Sequence, residues 1–167
     1  MYAKNGCLLM EPAAIKTLIG TVIPLADVLT PNIPEAEKIA GCRIKSVADM
    51  EETAKTIHTM GCRAVVIKGG HAAVNAVDVL FDGKEICHFD TARIDTKNTH
   101  GTGCTFSSAV ASQLARGVNL QEAVQKAKDY VTMAIAHSLD IGKGYGPTHH
   151  FWNLYQYGLQ EERGGGK

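Results

Sequence analysis

Residues 63–68, Arg-Ala-Val-Val-Ile-Lys, are apolar at four consecutive inner positions with no polar alternation, and the run stops at Lys68-Gly69-Gly70. A strand with one wet face alternates. An unbroken Ala-Val-Val-Ile run fits a strand covered on both faces, the usual pattern of a parallel sheet layered between helices. Such a strand needs a helix close by in sequence, and one precedes it. Ser46-Val47-Ala48-Asp49 reads as a capping box, Val47, Met50, Ala54 and Ile57 then share one helical face, and Gly61 supplies a left-handed residue at the end.

The flanking chain alternates in the same way. Glu11 and Pro12 open a helix in which Ile15, Leu18, Ile19 and Val22 recur at three-to-four spacing. Residues 25–29 read as a short apolar strand that stops at Thr30-Pro31-Asn32, because Pro31 removes a donor and biases Thr30 toward extended geometry. Pro34 starts another helix, ended by Gly41. Residues 76–81 and 85–89 flank Asp82-Gly83, a tight-hairpin dipeptide. After the loop 98–103, residues 104–116 form a Ser- and Ala-rich helix up to Gly117, and Asn119 caps a last long helix whose Ala123, Val124, Ala127, Val131, Ala134 and Ile135 face inward. The expectation is an α/β layered fold, a mainly parallel sheet flanked by helices, in one domain over residues 1–160 with a disordered tail over 161–167.

Charge and cysteine usage narrow the partners. Lys and Arg total 17 against 17 Asp and Glu, so no basic excess is present to neutralise a phosphate backbone, and nucleic acid is not expected. Apolar runs are broken by Pro24, Asp27 and Lys68, which excludes a membrane span of roughly 20 residues. Cys7, Cys42, Cys62, Cys87 and Cys104 are scattered without a CxxC pair, as suits a reducing, cytoplasmic setting rather than a disulfide framework or structural zinc.

Ligands of α/β sheets bind beyond the carboxyl ends of strands, and three segments fall there. Thr99-His100-Gly101-Thr102-Gly103-Cys104 is a glycine-rich loop entering a helix, where backbone N–H groups and the helix dipole favour an anion such as a transferring phosphoryl group. Two glycines before a helix also serve as a plain tight connection, and Cys104 is either a base at a helix start or a small thiol filling a corner. Asn32-Ile33-Pro34-Glu35 places an amide and a carboxylate on a first helical turn, suited to Mg²⁺ through hard oxygen ligands or to ordinary capping. Lys68 either reaches nucleotide phosphates or runs out to solvent. The pair His149-His150 does not converge on one ion, so no zinc is expected there. Tyr130, Phe151, Trp152, Tyr155 and Tyr157 are expected to pack or anchor the C-terminal segment.

Together, residues 26–35 (ADVLTPNIPE), 65–71 (VVIKGGH) and 98–109 (NTHGTGCTFSSA) resemble the hydroxymethylpyrimidine/phosphomethylpyrimidine kinases of thiamine biosynthesis, within the ribokinase-like superfamily. The resemblance runs from about Ala3 to Phe151, with the motifs in the family's order. It implies a ribokinase-like fold and ATP-dependent phosphorylation of 4-amino-5-hydroxymethyl-2-methylpyrimidine and then of its monophosphate. It further implies that Gly101, Thr102, Gly103 and Cys104 form the anion hole, with Cys104 as base for the substrate hydroxyl. Asn32, Lys68 and Thr99 would contact nucleotide and Glu35 would help hold Mg²⁺. Sugar and pyridoxal kinases of the superfamily mostly carry Asp at the position of Cys104, which favours the pyrimidine branch.

The resemblance also places Met1-Tyr2-Ala3-Lys4 near the middle of the family's sequence, so the substrate-contacting N-terminal part is expected to be missing. A homo-oligomer or a complementing N-terminal half is the implied partner, besides ATP and the small pyrimidine substrate. The alternatives are a catalytically inactive remnant that binds nucleotide or a partner, and a purely structural oligomerisation module.

Overall fold

The computed structural model describes residues 11–69 and 75–158, in two compact units, Met1–Arg93 and Ile94–Lys167. Gly70 and His71 of the 65–71 motif, Cys7, and the whole of the expected tail over 161–167 lie outside the described residues.

In the first unit, α1 (Pro12–Thr17) begins with proline in its first turn, where the missing N–H costs nothing. It runs on through a wider turn, Leu18–Val22, and a tight 3₁₀ turn, Ile23–Leu25, that contains Pro24. Leu25 is therefore in a turn rather than a strand, and it is exposed. Helix α2 (Ile33–Ala40) ends at Gly41 in the left-handed region, with φ 69°. Helix α3 (Val47–His58) carries the expected reciprocal capping box, in which Asp49 N–H donates to Ser46 Oγ and Ser46 N–H donates to Asp49 Oδ2. Met50, Thr53, Ala54 and Ile57 are its buried face, while Val47 at the first turn stays exposed.

The sheet corrects the expectation of parallel pairing. Strands β1 (Val65–Ile67), β2 (Asn75–Phe81) and β3 (Ile86–Ala92) lie in the order β1-β2-β3, antiparallel at both junctions. The cause is local. The Asp82-Gly83 turn, with Gly83 at φ 91°, folds β3 back on β2, and β2 returns along β1 in register Ile67 to Val79. Parallel pairing survives as two bridges on the other side of β1, Leu29 with Val65 and Asn32 with Lys68. There Leu29 N–H donates to Ala64 O at 2.9 Å, and Lys68 N–H donates to Pro31 O at 2.9 Å, so Pro31 lacks a donor but supplies an acceptor. The two-sided burial read from the Ala-Val-Val-Ile run holds: Val65, Val66 and Ile67 are fully buried. Val65, Ile67 and Val79 pack with Ile23, Met50, Ala54 and Ile57 in one apolar core.

The second unit is a helical hairpin with a C-terminal strap. Helix α4 (Thr102–Ala115) turns at Gly117, with φ 81°, into α5 (Leu120–Ala136), which Asn119 caps by accepting from Glu122 N–H. Phe106 and Val110 of α4, and Ala123, Val124, Ala127 and Ala134 of α5, are buried, whereas Val131 and Ile135 are only half-buried. A further short helix, α6 (Trp152–Tyr157), follows. Trp152 stacks on His137 at 3.8 Å between ring centroids and Tyr130 Oη donates to His150 O at 3.0 Å. Those two aromatics anchor the segment; Phe151, Tyr155 and Tyr157 are exposed. Among the described residues no helix is long and apolar enough to cross a membrane.

Candidate active site

Each unit carries its own part of the sequence-predicted site. In the second, Gly101 is the residue before α4 and adopts φ 87°, a conformation that side chains with a Cβ avoid. Gly103, by contrast, lies inside the first helical turn. The strained position of the glycine pair is therefore the first. No side chain caps this helix end, so the first-turn amides of Thr102, Gly103 and Cys104 are left to an external acceptor, with the helix dipole behind them. Thr102 Oγ1 donates back to Thr99 O at 3.2 Å and Thr105 Oγ1 to Gly101 O at 2.9 Å, which pins both sides of the turn. Cys104 is exposed, which removes the reading of a buried corner-filling thiol. It opens onto a cleft of about 530 Å³ between α4 and α5, lined also by Ser108, Gln113, Lys126, Tyr130 and His150.

The loop is braced from behind by contacts to the 146–147 segment that the motif reading did not foresee. Asn98 is 6% exposed, and its Oδ1 accepts the N–H of buried Gly146 at 3.0 Å. His100 N–H donates to Gly146 O at 3.2 Å, and His100 bridges Pro147 in parallel. The signal available in sequence was the Gly144-Tyr145-Gly146-Pro147 stretch, whose small residue at 146 admits this close approach.

In the first unit the bridge from Asn32 to Lys68 sets the amide-bearing and lysine-bearing strand ends side by side. Asn32 and Glu35 form a capping box: Glu35 N–H donates to Asn32 Oδ1 at 2.9 Å and Asn32 N–H to Glu35 Oε2 at 3.0 Å. Both side chains thus already have a structural task at the start of α2. Asp78, on β2, accepts the N–H of Gly69 at 2.9 Å while almost fully buried. Its trace in the sequence is a single acidic residue inside the otherwise apolar 76–81 run.

Among the described residues no three His, Cys, Asp or Glu side chains converge to hold a metal ion. One carboxylate suits Mg²⁺ only in the mode where phosphates and water complete its shell, which is how that ion is commonly bound.

Residues 1–149 match the model of a family described as phosphomethylpyrimidine kinase. The chain belongs to that family. It is 47% identical over 151 residues to a thiamine biosynthesis bifunctional protein of Geobacter sulfurreducens, covering 90% of this chain and 31% of that one. It is 44% identical over 165 residues to a Staphylococcus aureus hydroxymethylpyrimidine/phosphomethylpyrimidine kinase, covering 97% of this chain and 60% of the relative. Among solved structures, it resembles an ADP complex of Bacillus subtilis pyridoxal kinase at TM-score 0.82 and 43% identity, over 86% of this chain and 57% of that one. It also resembles the phosphomethylpyrimidine kinase of Clostridium difficile 630 at TM-score 0.69 and 40% identity, over 81% of this chain and 54% of that one. These likenesses bear out the ribokinase-like α/β fold. This phosphomethylpyrimidine kinase family member spans 60% of the length of the Staphylococcus aureus relative.

Proposed function

We propose that this chain carries the nucleotide and phosphoryl-transfer part of an ATP-dependent kinase acting on hydroxymethylpyrimidine and its monophosphate in thiamine biosynthesis. The observation that supports it most is the uncapped start of α4 at Gly101, with exposed Cys104 three residues into the helix, in a chain whose family is that kinase. Phosphoryl transfer needs little covalent chemistry from protein and depends on positioning and charge stabilisation. The amides of Thr102, Gly103 and Cys104 stabilise the transferring phosphoryl group, with Thr99 closing the turn behind them. Cys104, as the thiolate, takes the proton of the substrate hydroxyl and becomes the thiol. Lys68 approaches the ATP phosphates, and Asn32, tied to Glu35, holds the neighbouring strand end. Mg²⁺, when bound with nucleotide, would neutralise phosphate charge, and Glu35 would meet it through water.

A second substrate reading, pyridoxal, is favoured by the 0.82 TM-score to the Bacillus subtilis pyridoxal kinase. The test separates binding from turnover. ATP affinity is measured by calorimetry, and ADP release is then followed with hydroxymethylpyrimidine, its monophosphate or pyridoxal. Pyrimidine-dependent ADP formation supports the proposal, pyridoxal-dependent formation the second reading, and nucleotide binding without either the inactive remnant.

A further inference from the structure

We propose that Asp78 is a positioning residue that sets the Lys68–Gly69 backbone at the end of β1 for phosphate binding; this rests on the reading above that Lys68 meets the nucleotide phosphates. Asp78 is 6% exposed on a strand whose neighbours Val79 and Leu80 are fully buried apolar residues. An apolar side chain would be buried there without loss, whereas a carboxyl group costs free energy unless its oxygens are hydrogen-bonded. One of its bonds is to that backbone: Oδ1 accepts the N–H of Gly69 at 2.9 Å.

The other constraints on the same backbone show why that bond matters. A Cβ on Gly69 would come within 1.9 Å of Val77 O and 3.0 Å of its carbonyl carbon, so the Gly69 backbone is seated directly against β2. Lys68, one residue earlier, donates its N–H to Pro31 O at 2.9 Å on the opposite side. The backbone of Lys68 is thus fixed from two flanks, by Pro31 on the strand that carries Asn32 and by Asp78 through Gly69. Without the Asp78 bond, that flank is held only by packing against Val77, and the lysine's departure point from the sheet becomes variable. Asp78 acts through that backbone and does not touch the ligand.

The test uses the full chain and the nonhydrolysable analogue AMP-PCP, with Asp78→Ala, Asp78→Asn, Gly69→Ala and Lys68→Ala. Asp78→Ala is expected to weaken AMP-PCP binding by about tenfold, and Asp78→Asn, which keeps an acceptor oxygen, by less than about threefold. Amide exchange at Gly69 should speed up in Asp78→Ala while the β2–β3 ladder exchanges as in wild type. In a Lys68→Ala background, Asp78→Ala should cost almost nothing further, because both act on one interaction. An equal loss in that background overturns the positioning role, since it marks a general structural effect. Unchanged affinity in Asp78→Ala, with Lys68→Ala weakened, overturns it too. Unchanged affinity in Lys68→Ala instead refutes the phosphate role of Lys68, and the proposal with it. If Asp78→Ala does not fold, Gly69→Ala displaces the same backbone from the β2 side and wild-type affinity there is the overturning result.

Discussion

Asn98 and Gly146 are in such close contact that a methyl group at position 146 would lie 2.3 Å from Asn98 Oδ1 and 2.8 Å from Leu139 O. The side chain that braces the glycine-rich loop therefore requires the absence of one 48 residues later. Asn98→Ala should lower stability by about 1–3 kcal/mol, the cost of leaving a buried N–H without its acceptor. Gly146→Ala should destabilise comparably through the forced shift. Urea unfolding midpoints check both; a loss below about 0.5 kcal/mol in each would show that the brace is dispensable.

Cys104→Ala is expected to lower kcat for pyrimidine phosphorylation by about 10²-fold with little change in ATP affinity, since a proton acceptor is removed and the first-turn amides are kept. Steady-state kinetics beside ATP calorimetry read the two quantities separately. An unchanged kcat would remove the base role.

Gly101→Val should impair nucleotide affinity and turnover together, because a β-branched residue at φ 87° must rearrange the turn that presents the amides. Gly103→Val leaves helical φ/ψ accessible, so its effect is steric, through the approach of phosphate to backbone. Nucleotide titrations of both variants, with Gly101→Val binding as wild type, would dismiss the anion-hole reading.

Acid should loosen the β2–β3 turn. Backbone N–H groups of Glu85 and Lys84 donate to Asp82 and hold its pKa below the ordinary carboxylate range, and those of Lys45 and Ser46 with the Ser46 hydroxyl do the same for Asp49. A folded-state pKa below the unfolded one gives stability that is present above about pH 4 and lost as pH falls through the folded value. Urea midpoints measured from about pH 6 down to pH 2.5 should therefore fall, and Asp82→Asn together with Asp49→Asn should flatten that fall.

Thiol labelling should distinguish two cysteines. Burial pushes the Cys62 thiol pKa up and leaves it 2% exposed, while Cys104 is exposed. Iodoacetamide should modify Cys104 in the native protein and reach Cys62 only under denaturant. Equal native rates, read by peptide mass spectrometry, would contradict the packing of Cys62 in the core.

Much of the local structure was legible because it depends on near neighbours. Ser46 with Asp49, the proline at the start of α1, Gly41, Gly117 and the Asp82-Gly83 turn each encode a bond or a φ value within a few residues. The direction in which β1 pairs was not legible, because burial on both faces gives it the same apolar run whether its neighbour is parallel or antiparallel. Residues 25–29 misled for a related reason: their hydrophobicity suited a strand, but Pro24 closes a 3₁₀ turn there and pairing reaches only Leu29 and Asn32. At the site, the loop before α4 was readable as a motif. Asp78 and Asn98 were not, since each serves a partner fixed only by tertiary contact, Gly69 and Gly146.

The pairing of Leu29 with Val65 joins positions 36 residues apart around two helices, whereas β2 meets β3 across a tight turn. Loop closure grows costlier with chain length, and a hairpin forms within microseconds. The β2–β3 ladder can therefore assemble early, but the line-up of Asn32 beside Lys68 must wait for α2 and α3 to pack. The Asn32–Lys68 pairing is therefore expected late in folding, and conditions that slow helix packing should delay nucleotide capture at the proposed site more than they delay the appearance of sheet.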